Sequence, residues 1–200
     1  MNIIYLLFHG LSPYSGISKK ILHQVKGFEA CGHRVSLCTY SIADNGHRVR
    51  MINNEIIEDY GTGKPAAAKR RVSYQCIYRY AVTHQVELIY VRSFHNANPF
   101  TIRLFSKLRK AGIKIAMEIP TYPYDQEYFS AIDKLQLCTD RLFRRKLCKY
   151  VDAIITFSNN TEIFGQRTIR ISNGIDFNSI PIRKTIHDIS KELHLIGVAE

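Results

Sequence analysis

Two stretches of the chain gather residue types that can do chemistry. The first is Glu118-Ile-Pro-Thr-Tyr-Pro-Tyr-Asp-Gln-Glu127. Tyr122 and Tyr124 offer flat apolar faces with hydroxyl tips, a combination suited to sugars. Asp125 and Glu127 can accept hydrogen bonds from hydroxyls. Paired carboxylates also serve glycoside hydrolysis, and a rigid, proline-stiffened loop is the plain structural alternative. The second stretch is Arg92-Ser-Phe-His95. Its arginine can neutralise a phosphate, and its histidine can orient a hydroxyl or move a proton near neutral pH. A loop histidine that is only hydrogen-bonded and solvated is the alternative here.

A third stretch, His9-Gly-Leu-Ser-Pro-Tyr-Ser-Gly16, precedes a helix. Free N–H groups and the dipole at a helix start favour an anion, and Gly16 allows close approach to the backbone. Gly16 is followed by Ile17-Ser18 rather than Lys-Ser/Thr, so this is not a P-loop. Gly10 and Gly16 lack dinucleotide spacing, and the second strand ends Thr39-Tyr40 without an acid for a ribose, which argues against NAD or FAD. Ordinary turn chemistry accounts for Gly16 equally well.

All three stretches leave expected strands at their carboxyl ends. Asn2–Phe8 is a short apolar run, far below the roughly 20 residues of a membrane helix, and reads as a buried first strand. Ile17, Ile21, Val25 and Phe28 form one helical stripe, ended by Gly32. Val35–Thr39 is the next strand, completing a βαβ unit. Asn53-Asn54 suits a hairpin turn. Further expectations are a helix over 66–84, a strand at 88–91, a helix from Asn98-Pro99 to Gly112 and a strand at 113–119. After these come a helix over 127–150, a strand at 153–157, a helical turn at 159–164 and a strand at 168–171. The alternation predicts an α/β fold: a Rossmann-like, doubly wound, mostly parallel sheet with helices on both faces. Residues 1–178 would form this domain. Residues 179–200 would be a linker and the first strand of a second domain, or else an edge strand of the same sheet.

Composition sets outer limits. With 46% hydrophobic and 22% charged residues the chain is globular, which excludes a disordered or fibrous protein. A net charge of +11 favours anionic partners. Much of it lies in residues 64–110 and in Arg141, Arg144, Arg145, Lys146 and Lys149, a cationic helix end beside Leu142, Phe143 and Leu147. Such an end can lie on anionic lipid or be a solvated helix face. No recognised nucleic-acid motif is present, so no specific nucleic-acid partner is expected. Five cysteines form no even framework and no zinc spacing, which predicts free, mostly buried thiols in a reducing cytoplasm and no metal site.

The order and spacing of several segments resemble the N-terminal domain of family 4 glycosyltransferases, especially the bacterial capsule and surface-polysaccharide branch. These segments are Gly16 at the first helix, Gly32-His-Arg-Val35, Tyr90-Val-Arg92, Glu118–Asp125, Asp152-Ala-Ile-Ile-Thr-Phe-Ser158 and Ile171-Ser-Asn-Gly-Ile-Asp176. The resemblance implies half of a type-B glycosyltransferase fold, with two Rossmann-like domains about a cleft. It implies hexosyl transfer from a nucleotide-sugar to a glycan or lipid-linked acceptor, with no cofactor. Ser15, Gly16 and Ile17 would lie at the donor phosphate. Arg92, His95, Tyr122, Tyr124, Asp125 and Glu127 would border the acceptor, and His95 and Glu118 are the catalytic candidates. The family commonly has a histidine where this chain has Glu118-Ile-Pro120. The donor would be bound mainly by a C-terminal domain, so these 200 residues are expected to fold without transferring sugar. The expected location is cytoplasmic, peripheral at the inner face of the plasma membrane. A non-catalytic Rossmann-like module for a phosphorylated ligand or an anionic surface is the competing reading.

Overall fold

The computed structural model describes residues 1–92, 96–123 and 131–172. The chain runs β1 (Asn2–Leu6), α1 (Gly16–Ala30), β2 (Arg34–Ile42), β3 (Arg48–Ile52), β4 (Glu55–Asp59), α2 (Gly63–Val72) and α3 (Gln75–Thr83). It continues through β5 (Leu88–Arg92), α4 (Pro99–Lys110), β6 (Lys114–Ile119), α5 (Ala131–Cys148), β7 (Ala153–Thr156), β8 (Glu162–Ile163) and β9 (Gln166–Arg170).

One sheet runs β4-β3-β2-β1-β5-β6-β7-β9-β8. The six strands from β2 to β9 are mutually parallel, and β3, β4 and β8 pair antiparallel at the two margins. The α/β expectation with a mostly parallel sheet holds. The chain winds outward from β1 to β4, then returns to β5 on the other side of β1. That reversal places a crevice beyond the carboxyl ends of β1 and β5.

The helices divide unequally between the faces. On one face α1 lays Ile21, Val25 and Phe28 on Ile3, Tyr5, Leu7 and Tyr90. On the other, Ile77 and Ala81 of α3, Leu104, Phe105 and Leu108 of α4, and Leu137 and Leu147 of α5 cover Ile4, Leu6, Ile89, Val91, Ile115 and Ile154. Central strands buried on both faces read as continuous apolar runs for this reason.

Local signals set several boundaries. The Asn98 side chain accepts from the Phe100 and Thr101 N–H groups while Thr101 Oγ1 accepts from Asn98 N–H, with Pro99 leading α4. Gly32 and Gly112 take φ +80° just after α1 and α4, where the chain must turn left-handed. Asn53 and Asn54 both have positive φ and join β3 to β4, as the Asn-Asn pair predicts.

Three expectations need correction. The helix over 66–84 is two helices. Ser73 is extended, and Tyr74 is buried with its hydroxyl donating to the Arg71 carbonyl. Burying that ring breaks the backbone path. The helical turn at 159–164 is instead a hairpin, with Phe164 and Gly165 at positive φ between β8 and β9. The inner stripe of α1 begins at Ser18, not Ile17. Ser18 is buried and accepts from the Ser12 N–H at 2.9 Å, whereas Ile17 is 54% exposed. The expected 179–200 segment, with the Asn173–Asp176 turn before it, lies outside the described residues.

Candidate functional site

The carboxyl ends of the central strands hold two polar groups, one on each face of the sheet. On the α1 face, Glu118 near the end of β6 is fully buried. Its Oε1 accepts from Arg92 Nη1 at 2.6 Å, and its Oε2 accepts from Tyr90 Oη at 2.7 Å and Gln24 Nε2 at 3.0 Å. Gln24 Oε1 in turn accepts from Tyr5 Oη at 2.6 Å. Parallel registry explains the meeting: Tyr5 pairs with Tyr90, and Arg92 pairs with Glu118, so all four side chains share the face beneath α1. Three donors engage both oxygens of this buried carboxylate, and the ion pair leaves neither Glu118 nor Arg92 as an unpaired buried charge.

Burial raises the hydroxyl pKa values of Tyr5 and Tyr90 well above the ordinary tyrosine value, and the Glu118 charge adds to both shifts. Both are therefore fixed hydrogen-bond donors at any physiological pH. Lys20 lies at the margin of this network, its ammonium 3.6 Å from the Phe157 ring centroid. Burial lowers its pKa, against the pull of Glu118, and the Arg92 charge lowers it further. Lys20 is the half-buried cation of this face, one turn into α1.

On the opposite face a cavity of about 260 Å³ opens at the same sheet edge. Phe8, Arg50, Arg70, Arg71, Asn96 and Leu135 are among its lining residues. Arg50 is 1% exposed; its Nη1 donates to the Leu7 carbonyl at 2.8 Å. The Arg70 guanidinium stacks 4.2 Å over the Tyr40 ring, and Arg48 donates to the Tyr40 hydroxyl. Burial lowers the pKa of Arg70. Tyr40 opposes this, and the neighbouring charges of Arg71, Arg48 and Arg50 reinforce it.

The residues expected to do chemistry are placed as follows. Ser15 caps α1, its Oγ accepting from Ser18 N–H at 3.5 Å, and Gly16 and Ile17 form the exposed first turn. A side chain at Gly16 would meet nothing within 4 Å. The close approach is instead at Gly10, where an added Cβ would lie 2.9 Å from the Tyr40 carbonyl oxygen. Arg92 does not face the loop edge; it turns inward onto Glu118. Tyr122 packs its ring edge-on against Phe164, centroids 5.5 Å apart. His95, Tyr124, Asp125 and Glu127 lie outside the described residues. Of the cationic helix end, Arg141, Arg145, Lys146 and Lys149 are exposed, while Arg144 stacks 4.4 Å over Phe164.

Sequence reasoning missed Tyr5, Lys20, Gln24 and Tyr90, and all the cavity arginines. Arg50 carried the one usable signal, a charge inside the apolar run of β3. No cluster of three or more His, Cys, Asp or Glu side chains suited to a metal occurs among the described residues. All five cysteines are free; Cys38, Cys76 and Cys148 are buried, and burial pushes Cys38 and Cys148 up to about 12, which keeps them protonated. No helix among the described residues is long and apolar enough to cross a membrane. Compared with protein-family models and with curated protein sequences, the chain matches none.

Proposed function

We propose that this chain is the acceptor-side domain of a type-B glycosyltransferase, acting in hexosyl transfer from a nucleotide-sugar to a glycan or lipid-linked acceptor. The observation that carries the reading is the convergence at one sheet edge. The crevice between β1 and β5, the exposed start of α1 and an arginine-lined cavity all open beyond the same strand ends. In this reading the first turn of α1, at Ser15, Gly16 and Ile17, meets the donor phosphate through its backbone N–H groups. The 118–127 loop borders the acceptor. Glu118 serves as a positioning residue: its two oxygens hold Arg92, Tyr90 and Gln24, which fixes the strand from which that loop departs. His95 remains the candidate for contact with the reacting sugar. The protein works without a metal or cofactor, peripherally at the cytoplasmic face of an anionic membrane.

The test is calorimetric titration of the chain with UDP, GDP and a panel of nucleotide-sugars, beside a glycosyl-transfer assay with lipid-linked glycan acceptors. The expected result is acceptor binding without tight nucleotide binding, and no transfer by these residues alone. Tight nucleotide binding with no acceptor binding in any arm overturns the reading. A second reading, a non-catalytic module for a phosphorylated ligand, is favoured by the cavity arginines. It predicts phosphate binding with no glycan binding.

A further inference from the structure

The cavity on the α3–α5 face is strongly cationic. Arg50, Arg70 and Arg71 all line it, and no Asp or Glu is among its described lining residues. Asp140 of α5 accepts from the Ala97 N–H at 3.0 Å, and Glu58, the registry partner of Arg50 on β4, pairs with Arg79 at 3.7 Å. Among the described residues, three buried nitrogens of side chains that line the cavity have no hydrogen-bond partner: Arg50 Nε, Arg70 Nε and Asn96 Nδ2. Arg50 and Asn96 are 1% and 7% exposed, so neither donor is served by bulk water. An unsatisfied buried donor costs free energy, and one on a buried cation costs more. An anion lodged in the cavity offsets the charge of the three arginines that line it.

We propose that this cavity binds a phosphoryl group. Guanidinium forks match phosphate oxygens in geometry and charge. The three orphan nitrogens are sealed from water, so the contacts to a phosphoryl group fall to the other guanidinium nitrogens of Arg70 and Arg71, with the buried charge of Arg50 behind them. The rim says something about what carries the phosphoryl group. Leu135 of α5 lines the cavity yet is 70% exposed, and Leu142, two turns on, is 74% exposed. A carrier with an apolar body can rest on this rim, and a soluble sugar phosphate can fill the same cavity without using it. The proposal deepens the acceptor-side reading by giving the acceptor a phosphoryl group, and the binding itself is testable apart from transfer.

The experiment has two arms, both with the whole chain. Calorimetry follows titration with inorganic pyrophosphate and glucose 1-phosphate in chloride buffer. Flotation follows binding to phosphatidylcholine vesicles with and without phosphatidic acid. Each is repeated with Arg71→Met, with Arg70→Met/Arg71→Met and with Arg145→Ala/Lys149→Ala, the last pair on the exposed end of α5 and just beyond it. Arg50→Met is left aside because Arg50 also holds the Leu7 carbonyl. Circular dichroism checks that the variants fold. The expected result is saturable binding, about tenfold weaker in Arg71→Met, as suits one lost charge-assisted contact, and lost in the double cavity variant. Saturation by the soluble phosphates assigns a soluble carrier. Binding only to phosphatidic acid vesicles, still lost with Arg70 and Arg71, assigns a lipid carrier. No saturable binding in either arm overturns the proposal. So does binding that survives the cavity variants and disappears with Arg145 and Lys149. If the cavity fails while glycan binding persists, the acceptor-side reading stands without it. If phosphate binds and no glycan does, the cavity stands and that reading falls.

Discussion

Glu118 shows how much one buried side chain can hold. Three donors from one strand and a helix end on its two oxygens, so removing its charge strands a buried guanidinium. Glu118→Gln is expected to destabilise the fold by about 3–5 kcal/mol, the usual cost of breaking a buried pair on one side. Tyr90→Phe removes one neutral donor to a charged acceptor and should cost about 1.5–3 kcal/mol. Urea denaturation at neutral pH measures both. A loss under 1 kcal/mol for Glu118→Gln would mean water already reaches Arg92. The same geometry shows why the sequence reading misjudged Arg92. A charged residue at a strand's carboxyl end is ordinarily at the ligand edge. Here the residue opposite it on the next strand is a glutamate, and only sheet registry makes them neighbours.

Among the elements, Asp152 joins three. Its carboxylate accepts from the Ile115 N–H in β6 and from Arg109 in α4, and it stands just before β7. Burial opposes its ionisation, but those two donors outweigh it and hold the carboxyl below its ordinary value. The folded pKa is therefore depressed. The stabilisation is full above the unfolded value, near 3.9, and is lost as pH falls through the folded pKa. Asp152→Asn should cost about 1–2 kcal/mol at neutral pH, and the gap from the parent chain should close in strong acid. Thermal melts across that range check it; a gap that stays constant with pH would assign the loss to packing instead. In the hydrophobic layer, Phe105 is fully buried at the centre of α4, and Phe105→Ala is expected to cost about 3–5 kcal/mol by the same melts. The two misjudged elements differ in origin. At 66–84 the break follows Tyr74, whose ring packs edge-on against Phe8, distant in sequence, whereas the β8–β9 hairpin is a local turn at Phe164-Gly165.

The whole molecule carries its charge of +11 unevenly. The β4 edge is guarded by Glu55, Glu58 and Asp59, acidic side chains that discourage strand addition. The exposed part of α5 combines Arg141, Arg145 and Lys146 with Leu135 and Leu142, and the exposed Lys149 follows its last residue. The chain is therefore expected to float with anionic vesicles at low salt, to release as ionic strength rises, and to ignore neutral ones. Equal partition to both vesicle types would count against a membrane role for α5.

The α/β alternation, the caps of α4, the Asn-Asn hairpin and the buried central strands were legible in the sequence, because each depends on neighbours a few residues away. Apolar runs, a proline after asparagine and a glycine after a helix act locally, and the chain obeys them wherever it folds. The Glu118 network and the arginine cavity were not legible. Arg50, Arg70 and Asn96 are scattered over 47 positions, and nothing in their local pattern distinguishes them from solvated charges. Their meeting required the sheet to close β3 beside β2 and to bring the last turn of α2 and the start of α4 over the same strand ends. Burial then turned three ordinary donors into unsatisfied ones, a property that belongs to the tertiary structure alone.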